Sequence, residues 1–120
     1  MKMIKYYSVK DIPIDLYTKL YNLNFRSNGM MRDLLVRLRH NVVRSKSKLA
    51  HGIVYTLVDN FEVVSWIISD QKQIHAYTRH QYRGSGHARQ LIEQFKKDFP
   101  NCRTSCCGNF YFWNKFGIRE

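Results

Sequence analysis

The run Gln81-Tyr82-Arg83-Gly84-Ser85-Gly86-His87-Ala88-Arg89-Gln90-Leu91-Ile92 joins a strand-like segment to a helix-like one through two glycines. A junction of this kind suits an anion, phosphate above all. Gly84 and Gly86 permit positive φ and leave no side chain between loop and ligand, so successive amide N–H groups can converge on one oxyanion. The helix that follows, periodic in Ala88, Leu91, Ile92 and Phe95, would aim its positive dipole end and its unpaired amides at the same point. Arg83, expected in the opening turn, adds a formal charge.

Several phosphate binders share glycine loops, and two are excluded by their own requirements. A nucleotide-triphosphatase loop needs G-x-x-x-x-G-K-[ST], and no Gly-Lys pair occurs in the chain. A dinucleotide fingerprint needs a third glycine and an acidic residue ending the next strand. Arg89 stands where that glycine belongs, and the next strand candidate, Cys102 to Cys107, carries no acid.

The segment resembles motif A of the GNAT family of N-acetyltransferases, Q/R-x-x-G-x-G/A. It fits in two overlapping registers, Gln81 to Gly86 and Arg83 to Ala88. The wider pattern, tyrosine-Arg-Gly-x-Gly-x-Gly/Ala with a leucine after two further positions, is met by Tyr82 through Leu91. A second resemblance lies near the C-terminus, where Trp113-Asn114-Lys115-Phe116-Gly117-Ile118 is similar to the family's Tyr-x-x-x-Gly-Phe ending of its fourth helix. Together these cover roughly residues 50 to 118, and the preceding part fits by coarse pattern alone.

The resemblance implies an enzyme that moves an acetyl group from acetyl-CoA directly to a primary amine. It implies that backbone near Ala76, Tyr77 and Thr78 pairs with the pantetheine arm, that the amides from Arg83 through Gly84, Ser85, Gly86 and His87 to Ala88 take the diphosphate, and that Gln81, which opens the motif, belongs to the same cofactor site. Asn109 would contact the pantetheine, as an asparagine near this place does in many relatives. A lysine-like amine, with a pKa near ~10.4, must lose a proton before it attacks. Family members that use a carboxylate place it about ten residues before the motif glutamine, which points to Asp70; Asp70 is equally a turn residue in Ser69-Asp70-Gln71-Lys72. Glu62 is the second carboxylate candidate, with a solvated hairpin position as its alternative. His75 and His80 titrate in a useful range, although a single histidine beside a strand usually serves only as a hydrogen-bond partner. The family's acid, a tyrosine of the fourth helix, falls on Trp113, whose indole does not release a proton. Tyr111 is the nearest phenol, displaced by roughly ~200° on a regular helix, and solvent protonation of the thiolate is the other route.

Around these residues the chain reads as one domain spanning residues 1–120, of α+β class with a mixed sheet. Strands are expected over Ile4 to Val9, Ile53 to Val58, Phe61 to Ile68, Ile74 to Arg79 and Cys102 to Cys107. Asp59-Asn60 reads as a hairpin turn. Helices are expected from Asp11-Ile12-Pro13 through Leu23, from about Met31 to Asn41, from about Gly86 to Phe99, and briefly after Asn109. The order β-α-α-β-β-β-α-β-α is that of the acetyltransferase core. The family usually continues past its Gly-Phe with two more strands, whereas this chain stops at Glu120, so a homodimer or a target protein is expected to cover the edge.

Composition sets the remaining expectations. At 120 residues and 44% hydrophobic content, one core is available, and eight Tyr and seven Phe argue against disorder. Nothing resembles a membrane span or a signal sequence, so a cytoplasmic protein is expected. Cys102, Cys106 and Cys107 lack a paired C-x-x-C or H-x-x-x-H arrangement, which speaks for reduced thiols and against a metal. Twenty Lys and Arg against nine Asp and Glu give +11. Arg32, Arg37, Arg39, His40, Arg44, Lys46 and Lys48 concentrate that charge where the family binds its acceptor. A cationic groove favours an acidic protein or a nucleic-acid-associated acceptor. The competing reading is a basic binding module that keeps the fold without the chemistry.

Overall fold

The computed structural model describes residues 1–23, 29–102, 105–106, 113 and 115–116. A five-stranded sheet runs in chain order, β1 (Lys2–Tyr6), β2 (Ile53–Asp59), β3 (Glu62–Ser69), β4 (Gln73–Thr78) and β5 (Ser105–Cys106). The first four strands are antiparallel neighbours, and β5 lies parallel to β4. Two helices, α1 (Ile14–Leu23) and α2 (Gly29–His40), come between β1 and β2, and α3 (His87–Asp98) connects β4 to β5. The expected order therefore holds through β5, with shifts of one to three residues at most element ends; the expected final helix lies largely outside the described residues.

Side-chain parity assigns the two faces of the sheet. Val54, Trp66 and Ile68 pack with Leu20, Met31, Leu34, Leu35 and Leu38 of α1 and α2. Ile53, Tyr55, Ile67 and Ile74 pack with Leu91, Ile92 and Phe95 of α3, and Trp113 joins that second core. Burial on both faces explains why β2 and β3 read as near-continuous apolar runs rather than alternating ones.

The β2–β3 hairpin corrects one sequence expectation. Asp59 pairs with Glu62, so the two turn residues are Asn60 and Phe61, at φ 49° and 65°. Positive φ at both positions is the backbone of the tight turn that matches strand twist. Asparagine tolerates it, whereas a phenylalanine, here 91% exposed, is held there by the strands on either side.

Two polar clasps tie the helices to the rest of the fold. Asp98, at the end of α3, accepts from Lys5 Nζ at 2.7 Å, Tyr55 Oη at 2.5 Å and Gln94 Nε2 at 2.9 Å. Arg39 of α2 donates through one nitrogen to the carbonyls of Val9 and Ile12, at 3.0 and 2.7 Å, and lies over the Tyr17 ring. Among the described residues no helix is long and apolar enough to cross a membrane.

Candidate active site

Among the described residues, the strand that leads into the glycine loop is paired on its outer side only at its beginning. The β4–β5 ladder pairs Gln73 with Ser105 and Ile74 with Cys106, while β4 itself continues to Thr78. On its other side β4 stays paired with β3 through Ser65↔Thr78. Backbone direction along β4 follows from its hydrogen bonds. The carbonyl of Gln73 accepts from the Asp70 amide, that of Tyr77 accepts from Ser65 Oγ, and the Arg79 amide donates to Val64, so alternate residues 73, 75, 77 and 79 face β3. Ala76 and Thr78 must then turn their amides and carbonyls away from β3. Among the described residues no strand pairs with them there. Of the three backbone positions expected to hold an arm, Ala76 and Thr78 face away from β3 and Tyr77 is turned to it.

Arg79 anchors the end of β4, with Nε donating to the Val63 carbonyl at 2.7 Å and Nη2 paired with Glu62 at 3.0 Å. A single 3-10 turn, His80–Tyr82, then swings the chain off the sheet. Gly84 at φ 85° and Gly86 at φ 79° reverse it into α3, with Gly86 at the N-cap. Gly86 has no side chain with which to cap the helix, and the first turn contains no acidic residue. The first in-helix bond to the cap is Gln90 N to Gly86 O, so the amides of His87, Ala88 and Arg89 precede any helical acceptor. A Cβ added to Gly84 or Gly86 would meet nothing within 4 Å. Among the described residues the loop is therefore uncrowded at both glycines, next to amides that could face an anion.

Arg83 departs from its expected place. It precedes the glycines in extended conformation, outside the helix, and its Nε donates to the Thr78 carbonyl at 2.9 Å. Its guanidinium lies 5.7 Å from the Tyr77 ring centroid. Arg83 therefore braces the loop against the end of β4. Gln81 and Ser85 are exposed, while His87 and Ala88 are half-buried, and the His87 ring meets Tyr82 edge-on.

The two carboxylate candidates are engaged elsewhere. Asp70 Oδ1 accepts from the amides of Lys72 and Gln73, both at 2.8 Å, which makes it the keystone of the β3–β4 turn. That turn lies at the end of β4 opposite the glycine loop. Glu62 is exposed at the start of β3 and ion-paired with Arg79. Tyr111 and Asn109 lie outside the described residues. Trp113 is buried in the α3-side core, which accounts for an indole at that position without any role in proton transfer.

His75 is the group whose setting the linear sequence hid. It projects from β4 toward α1 and α2, opposite in parity to Ile74 and Ala76, and is 3% exposed. Its Nε2 lies 2.7 Å from Gln73 Oε1, and burial holds its pKa below the usual imidazole value, partly offset by Asp70. No group of His, Cys, Asp and Glu suited to a metal occurs among the described residues. On the helical side, a shallow pocket of about 380 Å³ is lined by Tyr21, Gly29, Arg32, Asp33, Val36 and Arg37. Arg32 stacks on Tyr21 at 3.9 Å, and Tyr21 stacks on Tyr17.

Among solved structures, the chain is similar to a ribosomal-protein-alanine N-acetyltransferase from Brucella melitensis biovar Abortus 2308. The TM-score is 0.53 at 15% identity, covering 88% of this chain and 76% of that one. Likeness at that identity establishes the fold, which is GNAT-like. No protein-family model and no curated protein matches the chain.

Proposed function

We propose that the protein is an N-acetyltransferase that uses acetyl-CoA as co-substrate. The observation that carries this reading is the junction of a strand end whose backbone at Ala76 and Thr78 faces away from β3 with a helix start that no side chain caps. Ala76 and Thr78 face away from β3, and after five intervening residues the chain reaches Gly84 and Gly86, where an added Cβ would meet nothing within 4 Å. The fold likeness supports the same reading.

Acetyl-CoA supplies an acyl group already activated as a thioester. Ala76 offers one N–H and one C=O to an extended arm, and Thr78 offers an N–H, since its carbonyl is taken by Arg83. The amides from Gly84 through Arg89 would bind the diphosphate, with positive charge from the α3 dipole and from Arg83 and Arg89 behind them. A backbone N–H at Ala76 would polarise the thioester carbonyl as charge develops on oxygen. Holding amine and thioester together replaces a bimolecular encounter, which supplies much of the acceleration without further chemistry. A thiolate leaving group of pKa about ~8.5 can take its proton from solvent, so a buried Trp113 is no obstacle.

For the acceptor we propose an amine carried by an acidic protein or a nucleic-acid-associated complex. The support is the exposed charge of Arg37 at the rim of the Tyr21–Arg32 pocket and of Arg44 and Lys46 in the segment that follows α2, within a chain of net charge +11. A homodimer that covers the β5 edge belongs to the same proposal. The binding-module alternative draws on one observation, that Asp70 and Glu62 are both occupied in structural contacts.

Acetyl-CoA should raise the melting temperature of the wild-type protein, as any ligand of the folded state must. Gly86→Glu, which places a negative side chain among the phosphate-facing amides, should lose that shift and keep the fold. Thiol release with an amine acceptor then distinguishes the enzyme from the module. A melting temperature indifferent to acetyl-CoA, together with RNA binding, would favour the module.

A further inference from the structure

We propose that the end of the molecule opposite the glycine loop is a docking surface for single-stranded nucleic acid, formed by Lys10, Arg44, Lys46 and Lys48 around the ring of Tyr7. Strand direction fixes the two ends. β1 leaves the sheet at Tyr6, opposite Val54, and β2 enters it at Ile53, whereas β4 leaves for the glycine loop at Thr78, opposite Ser65. α3 runs from one end to the other, starting after Gly86 and closing on Asp98 and Phe99, which meet Lys5 and Tyr7. Its 12 residues set the separation at about 18 Å. A strand held at the far end leaves the glycine loop clear.

Three chain segments are fastened together there. Arg39 donates to the carbonyls of Val9 and Ile12, which fixes the turn carrying Lys10 to the last turn of α2. Gly52 sits against Val9 and Leu38, so the segment that leaves α2 folds back on the same turn. Within that segment the His51 ring lies 2.7 Å from the Ser45 carbonyl, and the Ser47 amide donates to Ser45 Oγ, closing a short loop around Lys46. Lys48 reaches across to Tyr7, its Nζ 5.2 Å from the ring centroid. The Tyr7 ring is seated 6.3 Å from those of both Tyr55 and Phe99 and is still 41% exposed.

The charge on this surface is uncompensated. No acidic residue occurs from position 34 to position 58. Lys10, Arg44, Lys46 and Lys48 are exposed, and among the described residues no carboxylate pairs with any of them. Asp11 follows Lys10 in the chain, and Asp98 is already taken by Lys5, Tyr55 and Gln94. Cations without carboxylate partners keep their charge for a polyanion, and a fixed aromatic ring among them gives a base something to stack on. The ring favours nucleic acid over an acidic protein, because charge serves both and stacking serves a base. It favours a single strand over a duplex, whose bases are already stacked on one another.

The test titrates nitrogen-15-labelled wild-type protein with a thymidylate oligonucleotide, follows the amides by NMR, and measures affinity by anisotropy over a range of salt. Shifts should concentrate at Tyr7, Lys10 and residues 44–48 and leave Gly84 to Arg89 unmoved. Four phosphate contacts predict a slope of log affinity against log salt of about −3. Changing Arg44→Ala together with Lys46→Ala should bring that slope to about −1.4 and weaken binding at least about tenfold, with an unchanged melting temperature. Tyr7→Leu should weaken binding at least about fivefold and keep the slope. Tyr7 also packs on Tyr55 and Phe99, so the wild-type shifts and the charge variant decide the matter where Tyr7→Leu does not fold. Absence of binding, shifts confined to Gly84 to Arg89, equal affinity for polyglutamate of matched charge, or tighter binding of a duplex would overturn the proposal. A protein that binds the strand and ignores acetyl-CoA would uphold it and overturn the acetyltransferase reading alone.

Discussion

Glycine serves two different purposes in this chain, and the distinction can be measured residue by residue. Gly52 and Gly84 share nearly the same backbone, φ 84° and 85°. A Cβ on Gly52 would stand 2.6 Å from Leu38 Cδ1 and 2.7 Å from Val9 Cγ2, whereas one on Gly84 meets nothing within 4 Å. Gly52 is thus required by close packing of the chain against α2, and Gly84 by conformation and by room for a ligand. Gly84→Ala should cost about 1 kcal/mol of left-handed strain. Gly52→Ala carries the same strain with overpacking of about 1–3 kcal/mol added. Urea denaturation of the two variants should separate them by that difference; equal losses would contradict it.

At the scale of elements, the hairpin between β2 and β3 stores an avoidable cost. Phe61 occupies a left-handed position and is 91% exposed, so it gains little from burial to offset the strain. Phe61→Gly should stabilise the fold by about 1 kcal/mol, seen as a rise in the denaturation midpoint without a change in slope. A destabilised variant would show that the ring has a partner on the folded protein. Strand and helix existence were legible because each rests on local periodicity: Met31, Leu34, Leu35 and Leu38 at helical spacing, and β-branched runs bounded by turn residues. Asp59-Asn60 missed the true turn by one residue because the left-handed position falls on a phenylalanine, which no turn statistic favours. The direction of His75 was not legible, since it depends on sheet parity and on which helices cover which face. Likewise, the bond from Arg83 to Thr78 depends on how sharply the 3-10 turn folds back, and the linear spacing gives no measure of that.

For the whole molecule, the excess positive charge divides into cations that hold the fold and cations that face outward. A cluster of arginines in sequence gave no way to separate them. Arg39 looks interchangeable with Arg37, yet it satisfies two backbone carbonyls and covers Tyr17, while Arg37 is exposed at the pocket rim. Arg39→Ala should cost about 1.5–3 kcal/mol, because charge-assisted bonds are lost and two carbonyls give up their donor. Arg37→Glu should change stability by less than about 0.5 kcal/mol and should weaken use of an acidic acceptor, with acetyl-CoA affinity unchanged. Equal loss of acceptor and acetyl-CoA binding in Arg37→Glu would show that the pocket does not sort the two ligands.

All of these outcomes depend on whether backbone amides at the end of β4 and the start of α3 clasp the diphosphate of coenzyme A. Titration of the nitrogen-15-labelled protein with acetyl-CoA, followed by amide NMR, addresses that point residue by residue. The account predicts the largest shifts at Ala76, Thr78 and the amides from Gly84 to Arg89, with Gly86→Glu abolishing them. An unchanged spectrum, or shifts confined to α2 and the Tyr21–Arg37 pocket, would contradict it.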